Sequence, residues 1–123
     1  MQGMLNENQS IYLQIASLIE SQILKNILLE DEQVPSSNEL ARMYAINPAT
    51  AAKGLNLLAD RGFLFKKRGL GMFVSIGAKK MIQEKKKNDF YGTYILPLIE
   101  EAKSIQLKER EIQDMVNRAL NEK

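Results

Sequence analysis

The chain has 123 residues, 45% hydrophobic and 26% charged, the make-up of one folded domain or of a small domain with an appendage rather than of a disordered chain. It contains no cysteine and no histidine, which removes disulfides, thiolate metal sites, cysteine nucleophiles and imidazole bases, and with them most enzymatic chemistry. The net charge of +2 is small but uneven: between Arg42 and Arg68 six basic residues stand against Asp60 alone, a field that fits a DNA-facing surface and equally well a solvated one.

The start, Met1 to Asn8, lacks the basic-then-apolar pattern of a secretory signal, and no apolar run is long enough to cross a bilayer. The expectation is a cytoplasmic protein with no membrane partner, no cofactor and no metal site. A first helix is marked by Ile11, Ile15, Leu18, Ile19, Gln22 and Ile23, with Ser10 as its N-cap, and it ends near Asn26. Residues 27–34 read as a loop leading to Pro35.

Ser36-Ser37-Asn38-Glu39 matches a capping box, so a short helix begins at Ser37, turns Leu40, Ala41 and Tyr44 inward and ends around Tyr44-Ala45. Asn47 as N-cap and Pro48 at the first helical position start another, which runs to about Asp60 with Ala51, Leu55 and Leu58 inward. Two helices so close in sequence cannot lie antiparallel. They must cross steeply, as in a helix-turn-helix. Ala49, Thr50, Lys53 and Asn56 are left to face outward.

Phe63 to Lys67 and Met72 to Ile76 have strand composition around the turn residues Arg68-Gly69-Leu70-Gly71, and together they read as a hairpin, or wing, with Lys66, Lys67 and Arg68 at its tip. From Ala78 a lysine-rich stretch follows, whose cations we read as a solvated face. Phe90, Tyr91, Tyr94, Ile95, Leu98, Ile99 and Ala102 then form an amphipathic stripe that Pro97 is expected to kink or open. A last helix carries Ile112, Met115, Val116, Ala119 and Leu120 on one side. Two such helices cannot bury both stripes against each other, and a second copy of the chain is the economical cover. The predicted fold class is mainly α with a small β-hairpin: a winged helix-turn-helix over residues 1–77, then a two-helix dimerisation region over 78–123.

Five ordered segments carry a resemblance. They are Ile11-Tyr12-Leu13-Gln14-Ile15; Val34-Pro35-Ser36 with Glu39-Leu40-Ala41; Ile46-Asn47-Pro48-Ala49-Thr50; Leu58-Ala59-Asp60-Arg61-Gly62-Phe63; and Arg68-Gly69-Leu70-Gly71-Met72-Phe73-Val74. In that order they resemble the N-terminal domain of the GntR family of bacterial transcription regulators. The Asn47-Pro48 start and the short tail are similar to its YtrA-like subgroup, whose members dimerise through such a tail. The resemblance implies a homodimeric regulator, a repressor, on a two-fold symmetric duplex DNA operator. The helix at Pro48 would enter the major groove and the wing would meet backbone or minor groove.

The residues expected at DNA are Ser36, Ser37, Asn38, Asn47, Ala49, Thr50, Lys53, Lys66, Lys67, Arg68 and Gly69. Several have a plainer role beside that one. Ser36 is explained by its capping box, Asn47 serves as N-cap, base contact or both, and the Thr50 hydroxyl can bond back to its own helix. Gly69 serves turn geometry and lets the wing backbone approach DNA. Lys53 has no evident structural purpose, which favours phosphate or guanine contact, while Lys66, Lys67 and Arg68 would supply salt-dependent affinity. Many relatives carry Arg where this chain has Asn38, which keeps hydrogen bonding but not charge. Gly54 weakens its helix by about 1 kcal/mol relative to Ala, and close packing on a neighbouring helix is the plain reading.

The residues expected to pair two copies are Phe90, Tyr94, Ile95, Leu98, Ile112, Met115, Val116 and Leu120. Phe90, Tyr91 and Tyr94 can instead line an effector pocket, though we read them as core. The effector, if one binds, is unknown from these residues. An alternative from another class keeps the fold as a protein-interaction module that does not read DNA.

Overall fold

The structure, a computed structural model, describes residue 5 and residues 10–122. The stretch Met1 to Asn8, whose sequence lacks a secretory pattern, lies outside the described residues apart from Leu5. The chain divides into two compact units, one ending at Glu84 and the other beginning at Lys85. Among the described residues no helix is long and apolar enough to cross a membrane.

In the first unit, α1 (Ile11–Leu24) forms where apolar residues recur at every fourth position, and Ile15, Ile19 and Ile23 are all buried. Ser10 holds the N-cap position, but its side chain makes no cap bond, so that helix start is satisfied less locally than its sequence suggests. After Leu24 the chain turns through Asn26 at φ +61°, a left-handed conformation that asparagine tolerates better than most residues.

Helix α2 (Ser37–Tyr44) begins on the expected capping box. The Glu39 N–H donates to Ser36 Oγ at 3.1 Å, and the Ser36 N–H donates to Glu39 Oε1 at 2.9 Å. It ends because Ala45 is left-handed, φ +54°, while the Ile46 N–H returns to the Ala41 carbonyl at 3.0 Å. Helix α3 (Pro48–Asp60) starts at once, capped by Asn47 with Pro48 in its first turn. It buries Ala51, Leu55, Leu58 and also Gly54. A Cβ at Gly54 would lie 2.8 Å from the Tyr12 carbonyl oxygen and 3.0 Å from Ile15 Cγ2, so the glycine is what lets α3 lie against α1.

Strands β1 (Leu64–Lys67) and β2 (Gly71–Val74) pair antiparallel, Leu64 opposite Val74 and Lys67 opposite Gly71. Both are trimmed relative to their composition: Phe63 joins the core just before β1, and Ile76 lies outside the ladder, 73% exposed. The turn closes with the Leu70 N–H on the Lys67 carbonyl at 2.9 Å, and Gly69 takes φ +77° in its third position, where a type II turn needs a positive value.

The segment read as a loop does more than connect. Val34 N–H donates to the Met72 carbonyl at 2.9 Å, Val74 N–H to the Glu32 carbonyl at 2.9 Å and Asp31 N–H to the Val74 carbonyl at 2.7 Å. Gln33 and Phe73 form a bridge pair, so this segment adds a short third rung to the hairpin. A rung this brief carries no alternation to read, which is why composition hides it.

The core gathers Ile15, Ile19 and Ile23 with Leu40, Leu55, Leu58, Phe63, Leu64 and Val74, and Ala78 and Ile82 of α4 (Ala78–Phe90) close it. Each large aliphatic side chain so buried contributes roughly 1.5–3 kcal/mol before entropy is charged against it. One charged residue enters as well. Glu20 is 2% exposed, and Arg61 donates to its Oε2 at 3.0 Å.

In the second unit the helix reaching Phe90 widens into a π-turn over Tyr91–Ile95 and continues as α5 (Leu96–Ser104). The Leu96 N–H donates to the Tyr91 carbonyl, five residues back. Pro97 has no N–H to give, and its ring crowds the preceding turn, so the break expected there is met by local widening. Helix α6 (Glu109–Asn121) starts where the Lys108 N–H donates to Glu111 Oε1 at 2.9 Å. Ala102 alone among this unit's described residues is buried. The mainly helical chain with one small hairpin agrees with the predicted fold class.

Candidate nucleic-acid interface

Three elements of the first unit open on one groove of about 230 Å³: the start of α2, the part of α3 that holds Ala52, Leu55 and Asn56, and the hairpin; of the expected DNA residues Ser36, Ser37 and Lys66 line it, while Asn38, Asn47, Ala49, Thr50, Lys53, Lys67, Arg68 and Gly69 do not. Gln33, Ser36, Ser37, Asn56, Lys66 and Leu70 are among the residues lining it. Strand alternation explains how the hairpin joins. Lys66 pairs with Met72 two positions from the buried Leu64–Val74 pair, so it shares the side that faces the helices.

The same alternation sends Lys67 to the opposite side. Its Nζ lies 4.1 Å from the Phe73 ring centroid and 3.7 Å from Asp31 Oδ1, with Phe65 farther off at 5.7 Å. The three basic residues grouped at the tip by sequence are therefore divided: Lys66 on the groove side, Lys67 laid over an aromatic pair, and Arg68 exposed in the turn beside Gly69.

At the start of α2 both halves of the capping box are engaged, so the Ser36 N–H is already given to Glu39. This is the plainer role that the capping box gives Ser36. The hydrogen bond from the Ser36 backbone, and after it one from the Ser36 side chain, hold the Glu39 carboxyl below the ordinary glutamate value against some desolvation, with a smaller push from Arg42. Ser37 is half-buried and Asn38 is exposed in the first turn.

At the start of α3 the Ala49 N–H donates to Asn47 Oδ1 at 2.7 Å, and the Thr50 N–H donates to the Asn47 carbonyl at 3.0 Å. Asn47 is thus an N-cap in fact, at an exposed position, and the cap bond uses its Oδ1 and not its amide N–H₂. Ala49, Lys53 and Asn56 are exposed along one side of α3, and Thr50 is half-buried.

Lys53 departs from its sequence reading. Its Nζ stands 4.1 Å from the centroid of the Tyr12 ring, so it has a structural partner after all. Arg61, counted in the local positive field, is tied to Glu20 and adds little to that field. Sequence reasoning turned Asn56 outward without counting it at DNA, and it left out Gln33 and Leu70. The spacing of Asn56 from Ala49 and Lys53 signals a shared helix side, whereas nothing local marks the other two.

In the second unit the Phe90 and Tyr94 rings lie 5.1 Å apart between centroids with their planes tilted by 43°, and Tyr94 is 62% exposed. Leu98, Ala102, Ile105, Ile112, Met115 and Val116 border an apolar groove of about 240 Å³. Leu120 is 76% exposed, while Ile95 and Ile112 are half-buried.

The family model for bacterial regulatory proteins, gntR family, matches residues 11–74, which run from the first residue of α1 to the last of β2 and make up more than half of the chain. The chain belongs to the GntR family. Among relatives of this GntR-family protein, the HTH-type transcriptional repressor YtrA of Bacillus subtilis is 34% identical over 76 residues, covering 62% of this chain and 58% of YtrA. A GntR family transcriptional regulator from Listeria monocytogenes has the same fold, with a TM-score of 0.74 at 22% identity over 93% of this chain and 98% of that one. AraR(DBD), solved in complex with operator ORX1, matches 61% of this chain and 92% of its own, with a TM-score of 0.52 and 32% identity. The GntR-family chain spans 23% to 30% of the length of the first curated relatives it matches.

Proposed function

We propose that this chain is a sequence-specific DNA-binding transcription regulator of the YtrA-like kind, a cytoplasmic repressor that acts as a homodimer on a two-fold symmetric operator. The observation that carries the reading is the shared groove: Ser36 and Ser37 at the start of α2, Ala52 and Asn56 of α3 and Lys66 of the hairpin line one space, and a helix in a major groove with a wing on the neighbouring backbone needs those elements on one side. The AraR(DBD) structure supports it, since a similar domain is there bound to operator DNA.

Asn47, Ala49, Thr50 and Lys53 present the end of α3 to base edges, and Ser36, Ser37 and Asn38 face phosphate from the start of α2. Lys66, Arg68 and Gly69 approach the backbone or minor groove. Lys67 acts on the duplex through the charge it keeps above Phe73. Residues 1–77 form the DNA-binding domain in this reading and residues 78–123 pair two copies, with half-sites about one helical turn apart. The pairing is supported by Phe90, Tyr94, Leu98, Met115, Val116 and Leu120, all left substantially in water by a single chain.

Selection of duplexes from a random pool by the intact chain, followed by titration at fixed salt, tests the reading. A common symmetric sequence is expected, bound with affinity that falls steeply as salt rises. Lys53→Ala is expected to weaken binding by about 1–3 kcal/mol. Equal affinity for all sequences would end the proposal, and an unchanged Lys53→Ala titration would remove that residue from the interface.

A further inference from the structure

The wing tip is held by a residue from outside the hairpin. Gln33, in the connection between α1 and α2, donates from Nε2 to the Leu70 carbonyl at 2.6 Å, across 37 residues of sequence. Its backbone already faces Phe73 in the bridge pair, and the next residue, Val34, donates to Met72. The side-chain bond therefore extends that short ladder out to the turn, beyond the last backbone pair.

Gly71 is fitted to the same contact. It takes φ +120°, and a Cβ there would lie 2.9 Å from Gln33 Nε2. Downstream of Gln33 the chain runs through Val34 and Pro35, whose ring fixes one torsion, to Ser36, the N-cap of α2. One short stretch thus carries both the wing tip and the start of α2, and its residues line the groove between them.

We propose that Gln33 is a positioning residue that fixes the wing tip relative to α2 and α3, so that Arg68, Gly69 and Leu70 meet a duplex in register with the helix. The proposal rests on the DNA-binding reading above. Its physical content is preorganisation: a turn already held in place gives up less freedom when it docks, and the binding free energy rises by that saving.

The test uses Gln33→Met, which keeps side-chain length and removes the donor, alone and combined with Arg68→Ala, in the intact chain. The probe is the duplex that the unaltered chain selects from a random pool. Gln33→Met is expected to bind roughly two- to tenfold more weakly, the worth of one such hydrogen bond, and to lose most of that effect once Arg68 is already Ala. Unchanged affinity overturns the proposal, as does an equal loss in both backgrounds, because Gln33 would then act independently of the wing. Amide hydrogen exchange of the free protein supplies a second measure. Wing amides are expected to exchange faster in Gln33→Met while those of α1 and α3 do not, and unchanged wing exchange overturns the clamp. If the unaltered chain selects no duplex, the functional reading fails, and the exchange result still decides whether Gln33 holds the wing.

Discussion

A methyl group at position 54 would meet backbone, the Tyr12 carbonyl oxygen at 2.8 Å, and backbone cannot swing aside as a side-chain end can. Gly54→Ala therefore sets a propensity gain of about 1 kcal/mol against an overpacking cost of roughly 1–3 kcal/mol, and we expect the cost to win. Urea unfolding of the two proteins checks this; a more stable alanine variant would mean that α1 and α3 separate easily. The cations teach a related lesson. Lys53, Arg61 and Lys67 are plain in the sequence as charges, but their partners Tyr12, Glu20 and Asp31 lie far away along the chain, and no local pattern connects them.

Helix starts were the most legible elements, because a cap is chemistry among neighbours. Ser36 with Glu39, and Asn47 with Pro48, do in three dimensions what their spacing says. The capping box also gives α2 a defined pH response. Because the folded protein holds the Glu39 carboxyl below its ordinary value, the ionised box stabilises the fold at neutral pH, and that contribution is lost as pH falls through the lowered value. Glu39→Gln keeps a cap without the charge, so the stability gap between the two proteins is expected to be widest near neutrality and to close in acid. Chemical denaturation across an acid pH series reads it, and a gap that grows on acidification would contradict the assignment. Less legible were the third rung beside β2, too short for periodicity, and the π-turn before Pro97, where the residue announces a break but not its form.

Assembly, in the function proposed above, falls to the second unit. A single chain leaves the apolar sides of α5 and α6 in contact with water, a cost that a second copy would remove. Sedimentation is expected to give twice the 14.0 kDa chain mass at micromolar concentration, and Val116→Lys is expected to return it to one chain mass. A monomeric unaltered chain would refute the pairing. Paired copies would also present two DNA-facing grooves, which is why operator symmetry and the sedimentation result stand or fall together.

Caps, glycine and proline positions, helical and strand stripes and the family resemblance could all be read from the order of residues, since each depends on contacts within a few positions. The use of Lys53 and Arg61 by distant partners, the pairing of Lys67 with Asp31 and the hold of Gln33 on the wing could not. Those follow from which surfaces pack together, a choice made by burying one common core across segments that are remote in the chain.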